Sequence, residues 1–360
     1  MKNIIFIFNK GRQDRLKTDP DGPKEFFYTF NKFKKNYNNV GLIESSSNHG
    51  YLLKYIFLIL RKFSKLPIYT ETFLKTKNLK KLFSSDIWIA TNQNLGFSMY
   101  PIILIKTIVK RTELYTFAMG LLENDSSKLI TNKLFKNYLR VSKSIFFISK
   151  SEYLQAQIKY PKYNKKFKYV PFCIDTNFWQ RSSTQIDEKN ILFIGNDMNR
   201  NYDLVVELAK SMPEYKFIFI SEQIKNLNIP NVELINGNWN KALLSDQEIR
   251  NYYQKSFLTI LPINNTFQPS GQSVTLQSMS METPVLITKT DGFWDEENFQ
   301  NNKNIYFIEN NDLEKWKSRI KKIYEDEKLH EFVKKEGKKT INNNFYLDFM
   351  YHEVKKIINF

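Results

Sequence analysis

Short apolar runs alternate with longer stretches of helical spacing along the chain. Ile4–Phe8 is an unbroken apolar run, the pattern of a strand covered on both faces. Similar runs stand at 40–43, 86–90, Glu113–Ala118, 144–148 and 168–172, with helical text between them, as at 24–37. The polar stretch 175–190 reads as a linker. The alternation then restarts with a strand at 191–195 and a helix over Tyr202–Ser211. Further strands follow at 217–220, Val232–Ile235, 258–262, Val285–Thr288 and 305–308. Strands alternating with helices predict parallel sheets, so the expectation is an α/β chain in two halves. The tail 345–360 predicts an amphipathic helix whose apolar face takes in Phe345, Phe349, Val354, Ile357 and Ile358.

Length and composition agree with this picture. The 360 residues suffice for two domains, and 30 Phe and 20 Tyr place much of the burial on large rings. The single Cys173 excludes a disulfide framework and a cysteine zinc site, and it reads as a small buried residue. His49, His330 and His352 are too scattered for a metal cluster. The apolar start is too short for a secretory signal, and no run of ~18 apolar residues predicts a membrane-crossing helix. A cytoplasmic location is the expectation. Lys and Arg exceed Asp and Glu by 17, most densely in the first half, where basic residues flank the apolar runs 55–60 and 102–105. That mixture suits peripheral contact with the anionic inner face of a membrane, and equally a solvated face over buried helices. No nucleic-acid-binding signature accompanies the charge, so no nucleic-acid partner is expected.

Two windows carry candidate chemistry. The first, Gln268-Pro269-Ser270-Gly271-Gln272-Ser273-Val274, joins the strand at 258–262 to a helix. A small-residue loop opening a helix offers N–H groups and the positive end of the helix dipole to an anion, although the same text serves as an ordinary turn. The second is Gly195-Asn196-Asp197-Met198-Asn199-Arg200, again between a strand and a helix. There Arg200 can clamp a diphosphate with two N–H groups, or lie on the surface as a solvated cation.

From Gln268 to Asp295 the chain resembles the donor-binding signature of the retaining family 4 glycosyltransferases, which have the GT-B fold. Gly271, Met279 and Pro284-Val285 stand in that order, and Gly292 falls where the family has a Gly-containing loop. The stretch 170–178 is similar to its interdomain segment, 191–195 to the opening of its second domain, and Ser149 to the residue closing the first domain's last strand. The departures are specific. Gln277 stands where the family has a ribose-binding Glu, Gln268 is the nearest polar residue to the family's first Glu, and Glu282 replaces a Gly.

The resemblance implies two Rossmann-like domains, 1–172 for the acceptor and 173–344 for a nucleotide sugar, with 345–360 bracing the first. It places the donor at Gly195, Asn196, Arg200, Ser270, Gly271, Gln272, Ser273, Val274 and Gln277. Arg200 and Gln268 would be catalytic, with Arg200 on the leaving diphosphate. The acceptor, a glycan or a lipid-linked glycan of cell-surface polysaccharide or lipopolysaccharide assembly, would meet Arg12, Arg15, Glu25 and Gly120. No cofactor and no metal are implied, the nucleotide-diphosphate sugar being a co-substrate. Asp19-Pro20-Asp21 has the form of a manganese motif, but its Pro and Gly neighbours make it turn chemistry. His49 reads as a base or as a loop residue, and Met119-Gly120 as a sugar contact or as a turn. A GT-B protein that binds nucleotide or glycan without transfer is the alternative reading.

Overall fold

A computed structural model of the chain describes residues 2–46, 51–109, 111–124, 128–182, 187–237 and 244–360. His49 and part of the expected linker lie outside them. The chain divides into two compact units, one of residues 1–21, 27–171 and 350–360, the other of 22–26 and 172–349.

The first unit is built on a parallel sheet of β1 (Ile4–Phe8), β2 (Val40–Glu44), β3 (Ile87–Ala90), β4 (Glu113–Ala118), β5 (Ser144–Phe147) and β6 (Phe167–Tyr169), ordered β2-β1-β3-β4-β5-β6. All five side chains of β1 are buried, which is why it reads as an unbroken apolar run. Rings fill one side of the sheet: Phe30 meets Phe6 edge-on at 5.5 Å, and Phe33 meets Tyr351 at 4.9 Å. Tyr351 comes from the helix Leu347–Ile358, and its hydroxyl accepts Asn36 Nδ2 at 3.1 Å. The buried side chains of that helix are Leu347, Met350, Tyr351, Val354 and Ile358; Phe349 and Ile357, expected on the apolar face, are only half-buried.

The second unit repeats the plan with β7 (Asp187–Ile194), β8 (Lys216–Ile220), β9 (Val232–Ile235), β10 (Ser256–Leu261), β11 (Val285–Thr288) and β12 (Tyr306–Ile308), ordered β12-β11-β10-β7-β8-β9 and all parallel. Cys173 is buried here. β7 begins at Asp187, inside the stretch read as a linker.

The expected helix over 24–37 is two pieces, a 3-10 turn at Glu25–Phe27 and a helix at Phe30–Asn36. Tyr28 between them has φ +53, a left-handed conformation that an α-helix cannot pass through. The break lets residues 22–26 pack in the second unit, with Phe26 near Phe172 at 6.2 Å and Lys24 N–H donating to Asp175 at 3.2 Å.

Candidate donor site

The two windows singled out in the sequence come together at the C-terminal ends of β7 and β10. Asn201 N–H donates to Pro262 O at 2.9 Å, and Asn264 N–H to Asn199 O at 2.8 Å. Asn201 also caps the helix Tyr202–Ser211, accepting Leu204 N–H at 3.1 Å. Side chains tighten the seam: Ser270 Oγ donates to Asp197 Oδ1 at 2.9 Å, and Asn199 Nδ2 to Gln268 Oε1 at 3.2 Å.

Arg200 lies inside this seam, only 4% exposed. Its Nε is 3.0 Å from Asp197 Oδ2. Its Nη1 is buried and carries no hydrogen bond among the described residues. A buried guanidinium N–H without an acceptor is costly, so the position calls for an anion. Glycines leave room for the fork. A Cβ on Gly195 would stand 2.6 Å from Arg200 Nε, and one on Gly271 2.9 Å from Nη1. Gly271 also has φ +83 and precedes the helix Gln272–Ser280, whose first intrahelical bond runs from Thr275 N–H to Gly271 O at 2.9 Å. An α-helix leaves its first-turn N–H groups without intrahelical acceptors. That helix start and the cation therefore converge on one spot. Gly271→Ala is expected to destabilise the unit by about 1–2 kcal/mol through its left-handed backbone. Its methyl would also crowd Arg200; a melting curve reads the first effect and nucleotide titration the second.

A cavity of about 240 Å³ adjoins this spot, and its lining takes in Gly195, Asp197, Arg200, Ser273 and Val274 together with Ile194, Ile220, Gly237, Leu244 and Ile249. Asn196 also lines it, but its amide is held by the protein. Nδ2 donates to Gly237 O at 2.6 Å, and Oδ1 accepts Glu222 N–H at 2.7 Å. It shapes the wall. Gln272 is buried at the helix start. The lining thus combines the Arg200 cation with apolar side chains, a mixture that suits a nucleoside diphosphate.

Gln277, expected at a ribose, is 1% exposed and both ends of its amide are bonded. Nε2 donates to Glu25 Oε1 at 2.9 Å, and Oε1 accepts the Tyr253 hydroxyl at 3.2 Å. Glu25, expected on the acceptor side, is fully buried in the second unit and also accepts Trp179 Nε1 at 2.8 Å. Burial pushes its carboxyl up to about 7, against the lowering effect of the Trp179 and Gln277 bonds. This contact gives a reason for Gln at 277: a second carboxylate there would face Glu25 at hydrogen-bond distance. Glu282, where the resemblance has Gly, keeps a left-handed φ of +58, with Thr283 N–H closing on Ser278 O at 2.9 Å. The helix end is thus built on a Gly-like backbone without Gly.

The other candidates lie in the first unit. Arg12 and Arg15 are half-buried on the short helix Arg12–Thr18 that follows β1, and Asp19-Pro20-Asp21 forms the turn after it. Gly120 is in a turn with φ +89, and its N–H donates to the buried Glu152 carboxylate at 2.9 Å, which ties it to the fold. Among the described residues no group of His, Cys, Asp and Glu is arranged to hold a metal ion. Sequence reading did not single out Asp197 as the partner of Arg200, nor the apolar wall at Ile220 and Ile249. Asp197 stands three residues before Arg200, which was a usable signal.

Residues 175–340 match the model of the family described as glycosyl transferases group 1. No curated protein matches the chain. Among solved structures, Anabaena Alr3699/HepE in complex with UDP is similar, with a TM-score of 0.72 at 12% identity over 99% of each chain. Sucrose-phosphate synthase from Thermosynechococcus elongatus has a TM-score of 0.72 at 11% identity, over 99% of this chain and 98% of that one. A glycosyltransferase from Rickettsia africae has a TM-score of 0.67 at 13% identity over 99% of each chain.

Proposed function

From a chain with the GT-B fold, whose residues 175–340 carry the group 1 glycosyltransferase module, we propose a transferase that moves a sugar from a nucleoside-diphosphate sugar to a glycan or lipid-linked acceptor in cell-surface polysaccharide assembly. The observation that carries the reading is the buried Arg200, whose Nη1 lacks an acceptor among the described residues and lies beside the helix start at Gly271. When the bond from the anomeric carbon to the diphosphate breaks, its electron pair passes to a phosphate oxygen. Arg200 and the first-turn N–H groups meet that growing charge, the place where fixed donors lower a barrier most. They supply positive charge without a metal ion. The wall of Ile220, Leu244 and Ile249 covers the base. Uracil is the first base to try, since Anabaena Alr3699/HepE was solved with UDP-glucose. Transfer with retention of configuration is part of the proposal.

The test is thermal stabilisation by UDP, GDP, ADP and CMP with EDTA present, followed by release of free nucleotide from the matching sugar donor. A ligand at 100 times its Kd stabilises by about 2.7 kcal/mol. The expected result is a raised melting temperature with one nucleotide and turnover of its sugar when acceptor is added. Stabilisation without any turnover supports the alternative, binding without transfer. No stabilisation by any nucleotide overturns the donor site.

A further inference from the structure

The helix Tyr51–Ser64 has apolar residues on two faces roughly 120° apart at 100° per residue, and only one of them is used by the fold. Phe57 and Leu60 pack against the core of the first unit. On the other face Leu52 is 73% exposed, Tyr55 64%, Ile56 49% and Phe63 66%, with Ile59 alongside. The spacing 52, 55/56, 59, 63 is that of a continuous helical stripe. Folded monomers rarely leave such a stripe in water without a partner.

The neighbouring helices share the character. Leu129–Val141, which packs against Tyr51–Ser64, opens with Leu129 at 84% exposure and Ile130 at 53%. Gln93–Val109, which packs against Leu129–Val141, closes with Ile108 at 85% and Val109 at 78%. None of these three helices contains an Asp or a Glu. Exposed Lys54 and Lys62 stand on the first, and exposed Lys133, Lys136 and Arg140 on the second. Arg61 adds little to this field, because it is paired with the buried Glu71 at 2.7 Å.

We infer that this surface docks on an anionic phospholipid bilayer, the Tyr51–Ser64 helix lying in the interface with its outer apolar stripe among the acyl chains and its lysines among the headgroups. The charge pattern selects the occupant. A second copy of the chain would set one basic, acid-free face against another. A neutral apolar partner would leave the lysines without counter-charges. An anionic interface satisfies both properties at once. Among the described residues no helix is long and apolar enough to cross a membrane, so the contact is peripheral. The inference does not depend on sugar transfer, and its test uses no nucleotide.

The experiment is co-sedimentation of the full chain with phosphatidylcholine vesicles, plain or containing about one third phosphatidylglycerol. The expected result is binding to the anionic vesicles, weakened when salt is raised from about 0.1 M to about 0.5 M. Lys54→Glu with Lys62→Glu should lower the partition by about fivefold or more per residue. Ile56→Asp with Phe63→Asp should lower it at least ~10-fold at either salt, through lost apolar burial. All four side chains are exposed, and an unchanged melting temperature confirms that the variants fold. Three results would overturn the inference: a chain that stays in the supernatant with anionic vesicles, binding that ignores both variants, or a dimer in sedimentation that Ile56→Asp with Phe63→Asp abolishes while no vesicle binding is seen.

Discussion

Arg200→Ala is expected to lower kcat/KM for sugar transfer by about 10²–10³-fold, the range found when one fixed donor to a developing anion is removed. Arg200 is 4% exposed and packs close to Gly195 and Gly271. Water entering the space left by the side chain brings no charge. The loss should fall on kcat more than on KM, because the phosphate oxygen gains charge as the sugar leaves. Arg200→Lys should recover little. An ammonium is a point charge on a flexible stem, and it cannot both stay near Asp197 and present a second N–H at the Nη1 position. The fold should survive both changes, since a buried cation with an unfilled N–H stabilises poorly. Steady-state kinetics at several donor concentrations, beside a melting curve of each variant, separates these effects. Equal kcat in Arg200→Ala and the parent would remove Arg200 from the chemistry.

The strands were legible because each parallel strand is covered on both faces and so spells a short apolar run, Ile4–Phe8 most plainly. The two loops of the candidate donor site were legible one at a time, from their place between a strand and a helix. Their meeting was not. The bond from Asn201 to Pro262 belongs to a register between β7 and β10 that no local pattern encodes. Glu25 was harder still. It lies 252 residues from Gln277, and its neighbours Phe26, Phe27 and Phe30 mimic the apolar face of one continuous helix. Only the left-handed backbone at Tyr28 breaks that helix, and Tyr announces no such turn. Local pattern therefore located the two loops one at a time, while Glu25, expected on the acceptor side, packs in the second unit.

Glu25 also carries the largest expected effect on stability. Its carboxyl titrates at about 7 in the folded chain against an ordinary 4.5. Between those values the folded state holds the proton and the unfolded chain has released it. Stability from this group is therefore complete below pH 4.5, falls as pH rises towards about 7, and is flat above. The whole drop is about 3 kcal/mol at 1.36 kcal/mol for each pH unit. Asp175 faces the same carboxyl, its N–H 3.4 Å from Oε2, and its charge adds to the rise. Elsewhere Glu113, Glu248 and Glu331 have lowered values and slope the other way, so the useful quantity is the difference between parent and variant. Glu25→Gln keeps an oxygen for Trp179 and Gln277 and removes the ionisation. It should match the parent near pH 5 and melt higher than the parent near pH 8. Glu25→Ala instead strands the Trp179 and Gln277 donors in a fully buried space and should cost about 3–5 kcal/mol near pH 5, and about 3 kcal/mol less than that near pH 8, where the parent has already lost the stability that ionisation of Glu25 removes. Denaturant midpoints at the two pH values decide the matter. A Glu25→Gln chain whose stability tracks the parent at both would mean that the carboxyl ionises at its ordinary pH, and that residues 22–26 do not hold it in the second unit in solution.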